Sequence, residues 1–140
     1  MRKSFIFTVL VFLTSLLYAQ ETQLATGWKA IKSSDLAADG CIITMKDPDL
    51  LKWMNATVPG TVLTTLLNNG LIPDPLYGMN NEKIPDVFSE GREFYTYWFY
   101  NRFSTEGIDS TRPVWLKFRG LNYFAEVYLN GRRISIDKHE

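Results

Sequence analysis

The segment from Phe94 to Phe103 constrains the fold most, because a period of two divides its side chains into two faces that both carry aromatic rings. It reads FYTYWFYNRF, and aromatic rings occur in both alternating sets. A period of two is typical of a β-strand, whereas an amphipathic helix repeats every 3.6 residues. Aromatic side chains on both faces predict a central strand that is covered on both sides. The core is therefore expected to form around a β-sheet.

Further segments with the same period follow this strand. Residues 114–119 alternate apolar and polar side chains, which is typical of a half-buried strand. Residues 124–129 predict another strand, and Asn130-Gly131 then predicts a type I′ hairpin turn, because both positions tolerate positive φ. The returning strand is expected over residues 132–136.

Taken together, the strand patterns predict an all-β domain with short strands, as in a β-sandwich or jelly roll. Weaker strand patterns occur at residues 28–31, 41–45 and 53–58. A sandwich of this type has roughly seven or eight strands, and the sequence supplies about six or seven. We therefore expect the domain to be incomplete at its C-terminal end.

One short helix is predicted within the sequence VPGTVLTTLLNNGLIPDP, residues 58–75. Thr61 can cap its N-terminus, Gly70 can adopt the left-handed conformation of a C-terminal cap, and Pro73 cannot continue it. A helix this short is marginal in water, so it must dock on the sheet. The apolar stripe available for docking consists of Val62, Leu63, Leu66 and Leu67.

The N-terminal residues predict a secretory signal peptide. Two basic residues precede an apolar run from Phe5 to Leu17, and the small residue Ala19 lies where a signal peptidase would cut. The run is shorter than the ~20 residues of a membrane-spanning helix. We expect residues 1–19 to be the signal peptide and residues 20–140 to be a partial domain that is secreted or periplasmic. No membrane attachment is expected after cleavage.

The charge balance argues against a nucleic-acid partner. Lysine and arginine number 15, as do aspartate and glutamate, and two of the basic residues lie in the signal segment. The remainder therefore lacks the basic surface that nucleic-acid binding requires. The one cysteine, Cys41, cannot form an internal disulfide, so packing must hold the domain together. Its apolar surroundings predict a buried, unreactive side chain.

The acidic residues do not predict a catalytic pair. Glycosidic hydrolysis needs two carboxylates about 5 to 10 Å apart, one of them with a raised pKa. The dense acidic group is expected to be a solvated loop, because Pro85 and Gly91 interrupt regular structure there. Glu126, within a strand, is expected to pair with Arg119 or Arg132. The members of the acidic group are Glu82, Asp86, Glu90 and Glu93.

Metal and cofactor sites are not predicted either. One histidine, His139, and one distant cysteine do not make a ligand set, and Asp47 with Asp49 is more typical of a turn than of a calcium loop. The tryptophans could stack on pyranose rings, but burial in the core of this disulfide-free domain is favoured for each of them. They are Trp28, Trp53, Trp98 and Trp115.

Three motifs, in order, resemble the N-terminal sugar-binding-like domain of glycoside hydrolase family 2. They are VPGTVLTTLLNNGLIPDPLYGMNN, YTYWFYNRF and FRGLNYFAEVYLNG. Within that family the resemblance is closest to the β-mannosidase and exo-β-D-glucosaminidase branch, and it runs from about Trp28 to the end. It implies a galactose-binding-like jelly roll that precedes an immunoglobulin-like domain and a TIM barrel. It also implies removal of β-linked mannose or glucosamine from the non-reducing ends of glycans.

In that family two glutamates on the barrel do the chemistry, so the resemblance implies no catalytic residue and no cofactor in this chain. Residues 77–92 would reach the rim of the active site. The substrate-entrance candidates there are Tyr77, Asn80, Asn81 and Arg92. The residues with an implied scaffold role are Pro59, Gly60, Gly70, Pro73, Asp74, Pro75, Asn130 and Gly131. Two alternatives stay open: a free-standing carbohydrate-binding module and a structural remnant without activity.

Overall fold

The computed structural model describes residues 21–109, 111–121 and 124–138, with the backbone alone for 135–138. The predicted signal peptide and His139 lie outside these residues. Eight helices and strands occur in the described part, in this order: β1 (Lys29–Lys32), α1 (Gly40–Met45), β2 (Met54–Asn55), α2 (Val62–Asn68), α3 (Val87–Glu90), β3 (Tyr97–Tyr100), β4 (Phe124–Leu129) and β5 (Arg132–Lys138). Single 3-10 turns separate several of them: Ser33–Asp35, Leu50–Lys52, Asn80–Lys83 and Arg92–Tyr95.

The strands form two antiparallel sheets. The first has the order β2-β1-β3, and the second is the β4-β5 hairpin. Strands in two sheets with few, short helices agree with a mostly-β fold. Closure into a jelly roll and incompleteness at the C-terminal end stay predictions.

The aromatic segment forms a shorter strand than predicted, and this strand is not central. Within the described residues β3 pairs with β1 alone, so β1 is the middle strand. The start of the segment is drawn into the Arg92–Tyr95 turn, where the hydroxyl of Tyr95 donates a hydrogen bond to the carbonyl of Pro85. Because of this hydrogen bond and the positive φ of 80° at Gly91, the strand begins only after Thr96.

Residues 41–45, predicted as a strand, belong to helix α1. Local hydrogen bonds outweigh the strand propensity of the β-branched run IIT. The carboxylate of Asp39 accepts from the backbone N–H of Ile42 at 2.9 Å, which caps the helix. The hydroxyl of Thr44 donates to the carbonyl of Gly40 at 2.7 Å. The prediction was wrong because the capping aspartate precedes the apolar run that suggested a strand.

Residues 114–119, also predicted as a strand, are irregular and exposed. An isolated extended segment gains little without a neighbour to take its backbone hydrogen bonds. In the described part of the chain, no strand pairs with this segment. Its alternating pattern is therefore not sufficient to form a strand here. The weak prediction for 53–58 reduces to the two residues of β2.

The core lies between the first sheet and α1. Ile31 of β1, Ile43 of α1 and Trp53 are buried against one another. Partly buried side chains surround them: Leu36, Ala38, Leu50, Trp98 and Tyr100. Trp53 is 6 % exposed, which confirms its core role, whereas Trp115 is 86 % exposed and contributes nothing to this cluster.

Helix α1 also connects the core to the hairpin. Its Thr44 hydroxyl accepts a hydrogen bond from the backbone N–H of Gly131 at 2.8 Å. Gly40 lies directly beneath the ring of Tyr128, with no space for a Cβ. The same ring makes an edge contact with Trp98 at 5.8 Å between centroids. These contacts fix the hairpin over α1 and β3.

Candidate functional site

The connection between α2 and β3, residues 69–96, carries several large apolar side chains that are exposed and not packed in the core. Phe88 is 98 % exposed, Leu76 is 94 % and Tyr77 is 77 %. The others on this connection are Leu71, Met79 and Val87. A soluble domain rarely displays so much apolar surface unless it has a partner. We call residues 69–96 the α2–β3 connection.

Local hydrogen bonds give the first half of this connection a defined shape. The carboxylate of Asp74 accepts from the backbone N–H of Leu76 at 2.9 Å, and its carbonyl accepts from the side-chain amide of Asn80 at 3.1 Å. The ammonium group of Lys83 then donates to Oδ1 of Asn80 at 3.1 Å. Leu76 and Tyr77 are therefore displayed on a turn that its own polar groups hold.

The second half is held in a similar way. The carboxylate of Asp86 accepts from the backbone N–H of Phe88 at 2.8 Å, which caps α3. Tyr95 anchors the end of the connection by its bond to Pro85. Burial, and then the negative charges of Asp86 and Glu90, raise the pKa of Tyr95.

The four substrate-entrance candidates have different surroundings. Tyr77 and Asn81 are exposed, whereas Asn80 is half-buried with both ends of its amide bonded. Asn80 therefore positions the turn that carries Tyr77. Arg92 is exposed at the start of the 3-10 turn that follows Gly91, so helix α3 separates it in sequence from the other three candidates. The first three lie within one turn, and Arg92 lies apart from them along the chain.

The acidic group lies on separate short elements of the same connection. Glu82 is in the Asn80–Lys83 turn, Glu90 ends α3, and Glu93 is in the turn after it. All four carboxylates are exposed, and that of Asp86 is engaged in capping. Carboxylates that are exposed on separate short elements lack the enclosed cleft that a catalytic pair requires. This geometry suits a solvated surface.

Glu126 has a partner other than the two predicted. It forms an ion pair with Arg133 at 3.0 Å and accepts from the Tyr128 hydroxyl at 2.7 Å. Tyr128 lies opposite Arg133 in the hairpin register, so both share a face with Glu126, whereas Arg132 lies on the other face. Arg119 pairs with Glu21 at 3.1 Å. The hydrogen bond to Glu126 is the main cause of a raised pKa at Tyr128.

Helix α2 has the predicted caps. Thr61 and Thr64 exchange hydrogen bonds in a capping box. At the other end Gly70 has φ 68°, and the backbone N–H of Leu71 donates to the carbonyl of Leu66 at 3.0 Å, as in a Schellman motif. Gly60 is needed for close approach, because a Cβ there would lie 2.7 Å from the Thr57 carbonyl.

The other residues with a predicted scaffold role border these elements. Pro59 follows a cis peptide bond just before α2, and Pro73 and Pro75 are half-buried around the Asp74 turn. In the hairpin, Asn130 has φ 47° and Gly131 has φ 80°, the left-handed values of a type I′ turn.

Polar side chains also dock α2, which the sequence pattern did not indicate. Thr65 is fully buried, and its hydroxyl accepts from the backbone N–H of Thr57 at 3.1 Å. The amide of Asn69 donates to the carbonyl of Asn55 in β2 at 2.8 Å. Amphipathic periodicity reports the apolar stripe and cannot identify such bonds. The run of polar residues at the helix end, Asn68-Asn69, was the available signal.

Loss of the N-terminal cap should weaken this docked helix measurably. We expect Thr61→Ala to lower the free energy of unfolding by about 1 kcal/mol, because the backbone N–H of Thr64 at the start of α2 loses its partner, the Thr61 hydroxyl. Urea unfolding followed by circular dichroism measures the difference. Thr61→Ser keeps the hydroxyl and should retain most of the stability. Equal losses for both substitutions would contradict a capping role.

In residues 21–109, 111–121 and 124–138, no group of three or more His, Cys, Asp and Glu side chains could hold a metal ion. Over the same part of the chain, no helix has the length and apolar character needed to span a bilayer. Cys41 is half-buried and free.

Comparison with known proteins gives a family match over nearly the whole chain. The model described as glycosyl hydrolase 2 galactose-binding domain-like matches residues 18–138. A mannosylglycoprotein endo-beta-mannosidase of Lilium longiflorum is 46 % identical over 118 residues, which cover 82 % of this chain and 12 % of that protein. No solved structure matches significantly.

More distant relatives carry related names. An exo-beta-D-glucosaminidase of Streptomyces avermitilis is 29 % identical over 84 % of this chain and 12 % of its own length. A probable beta-mannosidase of Caenorhabditis elegans is 29 % identical over 60 % of this chain and 9 % of its own length. The chain thus spans about an eighth or less of the curated relatives that it matches.

Proposed function

Because this chain belongs to the galactose-binding-like domain family of glycosyl hydrolase 2, we propose that it is a non-catalytic domain of a secreted glycoside hydrolase that cleaves β-mannosides. The identity to the lily endo-beta-mannosidase, 46 %, is the observation that carries the choice of substrate. The glucosaminidase of Streptomyces avermitilis is 29 % identical, so β-glucosaminides are the second substrate class. Because the lily relative is named as an endo-acting enzyme, we consider cleavage at an internal bond as well as at the non-reducing end.

Within such an enzyme, the α2–β3 connection would contact the rest of the protein. Leu76 and Phe88 are almost fully exposed, and hydrogen bonds hold the turns that carry them. A backbone held in this way loses little conformational freedom when the side chains that it carries are covered. The turn with Tyr77, Asn80 and Asn81 would then lie at the substrate entrance. A flat, exposed tyrosine ring can pack against the apolar face of a sugar there.

The chain alone would not catalyse hydrolysis. Its densest acidic group is exposed on separate short elements, and Glu126 is committed to Arg133 and Tyr128. Retaining or inverting chemistry needs one carboxyl that is shielded and one that is ionised across a cleft. A free-standing carbohydrate-binding module is not favoured, since the named relatives are enzymes far longer than this chain.

Comparison of the isolated chain with the full polypeptide encoded by its gene tests this proposal. We expect residues 20–140 to hydrolyse neither aryl β-mannosides nor aryl β-glucosaminides, and the full polypeptide to turn over the β-mannoside faster. A mannosylated glycopeptide and a short β-mannan, analysed by mass spectrometry, separate internal from terminal cleavage. Turnover by residues 20–140, or a gene product of only 140 residues, would refute the proposal.

A substitution at Tyr77 tests the entrance role in the same full polypeptide. Tyr77→Ala should raise KM several-fold with a smaller change in kcat, because it removes a contact made to bound sugar and leaves the chemistry untouched. Tyr77→Phe keeps the ring and serves as the matched control, with KM near that of the unmodified protein. An unchanged KM for Tyr77→Ala would place this residue away from the substrate.

A further inference from the structure

We draw no further inference here: the strongest candidate, the cleft of about 300 Å³ between β1, α1 and the Leu50–Lys52 turn, brings together two aspartates and two lysines whose charges cancel, contains no buried side-chain polar atom without a partner among the described residues, and has an apolar floor for which nothing in the structure shows what covers it.

Discussion

Replacing Trp53 with alanine is expected to lower the free energy of unfolding by about 3–5 kcal/mol, the range for removing a large aromatic side chain from a core. Trp53 is 6 % exposed and packs with Ile31 and Ile43. Its ring also contacts that of Tyr100, with 5.9 Å between centroids. These neighbours come from β1, α1 and β3, so the cavity would open where the first sheet meets α1.

The measurement is urea unfolding of residues 20–140 followed by far-ultraviolet circular dichroism, which reports mainly on the backbone and does not use tryptophan fluorescence. With a slope of about 1–3 kcal/mol per molar urea, such a loss moves the midpoint by at least about 1 M. Trp115→Ala is the matched control, because Trp115 is 86 % exposed, and its midpoint should stay within error. If the two substitutions cost the same, Trp53 would not be the centre of the core.

A methyl group at Gly40 is expected to destabilise the domain by up to about 2 kcal/mol, because overpacking a filled site costs about 1–3 kcal/mol and the helix propensity of alanine offsets about 1 kcal/mol of that. The added Cβ of Gly40→Ala would overlap the ring of Tyr128. That ring cannot shift freely, because it contacts Trp98 and its hydroxyl is bonded to Glu126 at 2.7 Å. Alanine is a better helix former than glycine by about 1 kcal/mol at most, so packing decides the sign.

Gly120→Ala provides the control for this substitution. A Cβ at Gly120 meets nothing within 4 Å, so the same chemical change should have little effect there. A second readout is the near-ultraviolet circular dichroism of the aromatic side chains, which should change for Gly40→Ala as Tyr128 moves away from Trp98. If Gly40→Ala is stabilising, the hairpin is not packed on α1 as described.

Several elements could be read from the sequence because local backbone preferences determine them. The helix α2 forms between Thr61 and Gly70, where a side-chain cap and a left-handed residue mark its ends. The β4-β5 hairpin turns at Asn130-Gly131, which tolerate positive φ. In each case the deciding residues are neighbours in sequence.

Only part of the candidate site could be predicted from the sequence. Tyr77, Asn80 and Asn81 were selected from the resemblance of their motif, and the structure places them in one hydrogen-bonded turn. The bonds of Asn80 to Asp74 and Lys83 depend on the three-dimensional path of that turn. The exposure of Leu76 and Phe88 could not be predicted, since apolar residues are by default assigned to a core.

The sequence by itself determined where the chain turns, which segment caps a helix and which segments are rich in strand-forming residues. Only the tertiary structure decided that β1 is the middle strand and that Trp53 rather than Trp115 is buried. It also selected Arg133 as the partner of Glu126. The physical reason is that caps and turns satisfy backbone groups locally, whereas strand pairing, burial and ion pairing depend on residues that are distant in sequence.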